Sequence, residues 1–187
     1  MIPEEESIPL KEAKQEVVVA ARRIGLLHLS FAKTLVEELG EEEGRRLILK
    51  AIKDYGKKIG KNARKSVIVQ GLDPVPENAA KARDLPKFGM LERTETVEVG
   101  GEKRMRGHGC AMAKVWEEYG EEKLGRLYCY VDPAKYMTFN PEFKLVHSKA
   151  LPDGDEYCEL VIRPTTEQER EDFLAEDIDW SYIDQAD

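Results

Sequence analysis

Long hydrophobic runs are missing from this chain of 187 residues, and no stretch approaches the ~20 apolar residues that a membrane-spanning helix requires. Basic residues are outnumbered, since 29 Lys and Arg stand against 37 Asp and Glu and give a net charge of -8. A negative molecule repels nucleic-acid phosphates and anionic lipid headgroups. The first residues, MIPEEESIPL, are acidic where a secretory signal is basic. We therefore expect a cytoplasmic protein with no membrane and no nucleic-acid partner.

Cysteine is scarce, and its spacing excludes the usual local motifs. Cys110, Cys129 and Cys158 form no CxxC pair, whereas structural zinc sites have closely spaced cysteines. In a reducing compartment they should be free thiols. The sequence also lacks a P-loop, a dinucleotide fingerprint and a Gly-x-Ser-x-Gly elbow, so chemistry on nucleoside triphosphates or nicotinamides is not expected.

Two long helices are predicted at the start of the chain. Apolar residues recur at helical spacing from about Pro9 to Leu39, and Gly40 follows where a C-terminal cap would lie. The predicted buried stripe is Ala13, Val17, Ala20, Ile24, Leu27, Phe31 and Leu35. The second helix contains Gly56 and Gly60, four residues apart, which either permit close approach by another backbone or simply weaken the end of the helix. We expect the two helices to pack as an antiparallel pair.

Two hairpins with helices between them follow. The first is LERTETVEVGGEKRMRG, which turns at Gly100-Gly101 and sets Glu98 opposite Lys103 and Glu95 opposite Arg106. Two helices come next, with a short further helix after them, and FKLVHSKAL and EYCELVIR form the second hairpin around an Asp-Gly turn. The fold class is therefore α+β, a long helix pair followed by β-β-α-α-β-β with one antiparallel four-stranded sheet and helices on one face.

We treat residues 1–164 as a single α+β domain. Its helical part is 1–65, and its hairpin-helix-hairpin part is 88–163. Residues 165–187 form an acidic C-terminal tail, helical to about Ala175 and beyond that either loose or docked on a partner.

Cys110 begins a helix, and two interpretations of it stay open. In GHGCAMAKVWEEYG, residues 107–120, the apolar side chains fall on one helix face, whereas Cys110 shares the other with Lys114 and Glu117. A thiol at a helix N-terminus meets unpaired N–H groups, which lower its pKa and favour a nucleophilic thiolate; Lys114 would act in the same direction. Gly109 either lets the backbone approach a ligand or serves only the turn from strand to helix. The alternative is an inert cysteine covered by another element.

Two histidines are candidate proton-transfer partners for Cys110. His108 is two residues away, although a surface turn accounts for it equally well. Folding the second hairpin pairs Lys149 with Cys158, which makes His147 and Cys158 diagonal neighbours on one face, roughly 7 Å apart. The alternative for this pair is a hydrogen-bonded core histidine beside a core cysteine.

Cys129 and Asp132 are three residues apart and could face the same space. Asp132 precedes Pro133, an arrangement typical of a helix cap. A zinc or iron site built from the three cysteines, Asp132 and a histidine is an alternative because these ligand types suit both metals. No two of them have ligand-like local spacing, so we assign no metal ligand and no cofactor.

The ordered pattern GC…W…G…LG…YC..D…FNP…H…L..GD.YC, over residues 109 to 158, resembles the L-2-amino-thiazoline-4-carboxylic acid hydrolase family. The resemblance implies a hydrolase that opens a cyclic thiazoline to N-carbamoyl-cysteine, a step toward L-cysteine. The positions that match the family pattern are Cys110, Cys129, Asp132 and Cys158.

The chemistry that the resemblance implies is compatible with the residues described above. Cys110 would attack the amidine-like carbon while His108 or His147 moves protons and Asp132 assists. The substrate contacts would be Gly109, Lys114, Cys129 and Cys158. Direct attack by metal-activated water is the competing mechanism.

A second hypothesis comes from the order of the helix pair and hairpins. This order also resembles the small-molecule-binding domains related to bacteriochlorophyll vinyl reductase and the haem nitric-oxide sensors. That resemblance implies a sensor that binds a small molecule, cofactor or metal without turnover. A homodimer through the long helices is expected from their size.

Overall fold

The computed structural model describes residues 7–82, 84–86, 88–176 and 178–185. Two long helices, α1 (Leu10–Leu39) and α2 (Glu41–Val69), precede the single turn α3 (Pro76–Ala79). The first hairpin is β1 (Arg93–Val99) and β2 (Glu102–His108). Then come α4 (Ala111–Glu118), α5 (Glu122–Cys129), α6 (Val131–Phe139), β3 (Phe143–Lys149), β4 (Cys158–Pro164) and α7 (Glu167–Leu174). Within these ranges, no helix is both long and apolar enough to cross a lipid bilayer.

The four strands form one antiparallel sheet in the order β1-β2-β4-β3, which confirms the predicted α+β class. In the first hairpin Glu98 lies opposite Lys103 and Glu95 opposite Arg106, as predicted. Gly100 and Gly101 both have positive φ, 60° and 85°, the conformation that a two-residue hairpin turn of this kind requires. Local turn chemistry therefore sets the register of this hairpin.

The register of the second hairpin differs from the prediction at one end. His147 lies opposite Leu160. A bulge between His147 and Lys149 then places Lys149 opposite Glu159 instead of Cys158. A bulge adds one residue to one strand, so a register counted back from the turn is wrong by one position at Lys149.

Helices α2 and α6 approach closely at the two glycines of α2. A Cβ on Gly60 would lie 2.7 Å from Cβ of Thr138, and one on Gly56 would lie 3.1 Å from the carbonyl oxygen of Val131. Only glycine permits such an approach. The predicted close contact with another backbone is confirmed, and that backbone belongs to α6, which carries Asp132.

Helix α1 presents a different face to the core from the one that its spacing predicts. Trp116 of α4 packs against this helix and donates from Nε1 to the carbonyl oxygen of Gly25, 3.1 Å away. The predicted stripe is partly exposed, at 42% for Ile24, 58% for Leu27 and 65% for Phe31. The buried residues of α1 are Ala21, Gly25, Leu29 and Ala32. The homodimer through the long helices stays a prediction.

The C-terminal segment packs against α6 and α2. Phe173, Trp180 and Ile183 are 5%, 3% and 0% exposed and form one cluster with residues of α6. Nζ of Lys53 on α2 donates to the carbonyl oxygen of Ala175 at 2.8 Å and lies over the rings of Phe173 and Trp180. The expectation of a loose end is therefore wrong for residues 178–185, whereas docking on a partner stays a prediction. Residues 177, 186 and 187 lie outside the described part of the chain.

Lys53 makes folding stability depend on pH. Burial, together with the charges of Lys57 and Lys50, lowers the pKa of Lys53 to about 8. The unfolded chain then binds more protons than the folded one between about pH 8 and the ordinary lysine pKa, so stability rises with pH in that window. We expect wild type to gain about 1 kcal/mol more than Lys53→Met from pH 8 to 10. Urea unfolding at both pH values measures this. The control Lys61→Met, at an exposed side chain of the same helix, should keep the wild-type rise.

Candidate functional site

A cavity of about 630 Å³ lies between the inner face of the sheet and helices α1, α2, α4 and α6. Its wall is mostly apolar, and the connection before β1 covers part of it through Leu85, Phe88 and Met90. Pockets for small molecules usually measure about 300–1,000 Å³. The fold therefore contains a space of the right size for a small-molecule ligand.

Three thiols line this cavity. Cys110 precedes α4, Cys129 ends α5 and Cys158 begins β4, and all three are free. Burial raises the pKa of Cys110, raises that of Cys129 well above its ordinary value, and raises that of Cys158 to about 11. Backbone N–H groups of α4 act on Cys110 in the opposite direction, but burial is the larger effect. The predicted lowering of the Cys110 pKa is therefore wrong, and the thiols are neutral at pH 7.

Cys110 and Lys114 do not share an exposed helix face. Cys110 is the N-cap of α4, with non-helical φ -62° and ψ 122°, so helical spacing counted from it does not apply. Its side chain packs on the core around Trp116. Lys114 instead forms an ion pair with Glu92 at the surface. Lys114 therefore belongs neither to the cavity wall nor to the surroundings of the thiol, contrary to the prediction.

Gly109 shapes the turn from β2 into α4. Its φ is +61°, and a Cβ there would lie 2.6 Å from Cγ of Glu92. Both features favour glycine. Its backbone turns the chain toward Cys110. Gly107 and Cys110, on either side of Gly109 in the sequence, line the cavity.

His108 lies on the outer face of the sheet. Gly107 lines the cavity, and successive residues of a strand point to opposite faces. His108 contacts Oε1 of Glu95 at 3.0 Å and the guanidinium of Arg93 at 2.9 Å. The structure therefore does not bring His108 to Cys110.

His147 lines the cavity and is held from two sides. It is 8% exposed, and its backbone N–H donates to Oδ1 of Asp184 at 2.9 Å. Its Nδ1 lies 3.1 Å from Oδ2 of Asp184, whereas Nε2 lies 3.8 Å from Oδ2 of Asp132. When Nδ1–H donates to Asp184, Nε2 is the nitrogen that can take or give a proton on the Asp132 side. The ring is therefore oriented for acid–base work.

Asp184 is a site residue that sequence reasoning missed. Its side chain is fully buried and also accepts from Nη2 of Arg126 at 2.7 Å. Burial would raise the pKa of Asp184, but the hydrogen bond and charge of His147 and the charge of Arg126 outweigh it and lower the pKa. The group is a carboxylate at neutral pH. The sequence does contain a signal nearby. Trp180 and Ile183 are apolar residues in the acidic tail, and such residues indicate a segment that packs on the core.

Asp132 and Lys135 form the polar end of the cavity. Asp132 is the second residue of α6. The N-cap of this helix is Tyr130, so the predicted capping role of Asp132 is wrong. Nζ of Lys135 lies 3.0 Å from Oδ2 of Asp84 and 3.3 Å from Oδ1 of Asp132. Burial would lower the pKa of Lys135, but these two carboxylates outweigh it and raise the pKa. Two carboxylates around one ammonium leave a negative excess, which suits a cationic or hydrogen-bond-donating ligand group.

The zinc or iron alternative receives no geometric support. Among the described residues, no three or more His, Cys, Asp or Glu side chains are grouped so as to hold a metal ion. The three cysteines, Asp132 and His147 share a cavity wall without forming a coordination site.

Comparison with known proteins gives one strong match. No protein with a curated description matches the sequence. One solved structure is similar, a trafficking protein particle complex subunit 3 from Naegleria fowleri covalently bound to palmitic acid. It has 12% identity and a TM-score of 0.49 over 79% of this chain and 96% of that chain, a likeness too distant to carry a functional argument. The family model for L-2-amino-thiazoline-4-carboxylic acid hydrolase matches residues 21–162. Because this match spans more than half of the sequence, the chain belongs to the L-2-amino-thiazoline-4-carboxylic acid hydrolase family.

Proposed function

We propose that the protein hydrolyses a cyclic amidine-like carbon, such as that of 2-amino-thiazoline-4-carboxylic acid, with Cys110 as nucleophile and His147 as acid and base. Family membership supports hydrolase chemistry. One observation carries the residue assignment: His147 lies between Asp184 and Asp132 in the wall of a cavity that also contains Cys110.

In the first step Cys110 reacts as a thiol, because burial raises its pKa. While its sulfur bonds to the ring carbon between sulfur and nitrogen, the thiol proton passes to Nε2 of His147. The bond from that carbon to the ring sulfur then breaks, and the departing sulfur takes the proton from His147. An open-chain intermediate remains joined to Cys110 through a carbon–sulfur bond.

In the second step water attacks the same carbon. His147 accepts one proton from the water and gives it to Cys110, which leaves as a thiol. The second proton of the water moves from the new hydroxyl group to the former ring nitrogen, so that the carbamoyl C=O forms. One water is consumed for each ring opened, and the product is an N-carbamoyl thiol. Asp184 stays ionised and stabilises the imidazolium through Nδ1, while Asp132 favours a protonated amidine by its charge.

Turnover of 2-amino-thiazoline-4-carboxylate tests this proposal. We expect one new thiol per ring opened, measured with a disulfide reagent, and a product mass equal to substrate plus one water. Acid quenching during turnover should leave a substrate adduct on the peptide that contains Cys110. If the thiazoline acid is not hydrolysed, the proposed activity is wrong. Hydrolysis with no adduct would favour direct attack by water.

Binding without turnover is the second candidate function. The mostly apolar cavity wall favours it, because such a wall suits a ligand held by burial alone. Saturable binding of the thiazoline acid with no release of thiol would select this candidate.

A further inference from the structure

A row of apolar side chains crosses the inner face of the sheet from His147. His147 on β3 lies opposite Leu160 on β4, and Leu160 lies opposite Met105 on β2. All three line the cavity. Because neighbouring strands are spaced about 4.8 Å apart, Met105 lies roughly 10 Å from His147. An apolar surface therefore extends from the acid–base group across two strand spacings.

The helices leave part of this face uncovered. Met105 is 39% exposed, and Ile162, on the same face as Leu160, is 38% exposed. Met105 lies on β2 and Ile162 lies on β4, and these are the two central strands of the sheet. Apolar residues of central strands are normally covered by the layer that packs on the sheet. At Met105 the cavity takes the place of that layer.

A bare thiazoline acid does not match this space. A single small ring with one carboxylate is well below the drug-sized ligands that fill cavities of several hundred Å³, and this cavity measures about 630 Å³. Such a ligand at His147 would leave the exposed surface of Met105 in water. An apolar substituent on the ring would bury that surface, which favours binding.

We propose that the substrate is a cyclic amidine or amide that carries an apolar aryl or alkyl substituent. Its ring lies at Asp132 and His147, and its substituent lies along Leu160 and Met105. The position of the ring rests on the proposed function, and the substituent defines the substrate class. The negative excess around Lys135 favours a protonated ring.

Binding of N-phenyl-1-naphthylamine, an uncharged dye that fluoresces in apolar surroundings, tests the cavity independently of turnover. We expect saturable one-to-one binding, weakened tenfold or more by Met105→Glu. The matched control Leu27→Glu changes another exposed apolar side chain, on α1 and outside the cavity, and should keep wild-type affinity. Absence of binding, or a loss with Leu27→Glu alone, overturns the proposal.

Turnover of two substrates separates this proposal from the proposed function. We expect kcat/KM for the N-benzyl amide of 2-amino-thiazoline-4-carboxylic acid to exceed that for the free acid at least tenfold, and Met105→Glu to abolish this preference. Equal kcat/KM values would overturn the substrate class while the proposed activity stands. Cavity binding of the dye, with hydrolysis of neither compound, would overturn the proposed activity while supporting the apolar ligand.

Discussion

The Cys110→Ala variant is expected to lose ring opening by about 10³-fold or more in kcat/KM, because the variant has no sulfur to form the covalent intermediate. Steady-state release of thiol from 2-amino-thiazoline-4-carboxylate measures the loss. Cys158→Ala is the matched control, since Cys158 is also a partly buried thiol of the cavity wall. It should lower kcat/KM by less than tenfold, through altered packing alone.

Hydrolysis by Cys110→Ala at a rate near that of wild type would contradict the role of Cys110. Alkylation of Cys110 by iodoacetamide at a rate that stops rising above pH 7 would contradict the neutral thiol form, since burial raises the pKa of this thiol. We expect the alkylation rate to keep rising above pH 8.5. The ordinary pKa of a thiol is about 8.5, and the pKa of a thiol buried in this wall is higher.

Replacing Asp184 with Asn should lower kcat by about 10²-fold or more with little change in KM. An amide can donate to Nδ1 of His147, which leaves the proton on Nε2 and favours the wrong tautomer for a base on the cavity side. Asp179→Asn is the matched control, because Asp179 is an exposed carboxylate of the same segment that accepts from the N–H of Ser181. Its kcat should stay at the wild-type value.

Loss of stability has to be separated from loss of orientation in Asp184→Asn. Arg126 also bonds to Asp153, so it keeps one carboxylate partner in the variant. Thermal unfolding and circular dichroism at the assay temperature should show a folded protein. A folded Asp184→Asn enzyme with wild-type kcat would mean that His147 does not act through Asp184.

Much of the fold follows from local patterns. The first hairpin register follows from Gly100-Gly101, and a close backbone contact of α2 follows from Gly56 and Gly60, although these glycines do not identify α6 as the partner. The buried face of α1 could not be chosen in the same way. This helix is apolar over a wide arc, so the spacing of its side chains is compatible with more than one buried face. Packing by Trp116 of α4 selects the narrow strip around Gly25.

The candidate site was predictable only where it depends on strand alternation and family pattern. Alternation places His147 and Cys158 on one face, and the structure puts both in the cavity. The direction of Cys110 was predicted from an ideal helix, whereas an N-cap has non-helical angles. The contact between Asp184 and His147 joins residues 37 positions apart in the sequence. The spacing of side chains along one helix or strand cannot predict a contact between such distant residues.

The contact between Asp184 and His147 has a consequence for the order of assembly during synthesis. A ribosome delivers His147 and the partner strand of its hairpin before residue 184, and domains fold as their segments emerge. The sheet and its cavity can therefore form while the imidazole still lacks its carboxylate. Burial of Trp180 and Ile183 then delivers Asp184 to the ring. The imidazole therefore gains its carboxylate partner after the sheet has formed, when this last segment docks.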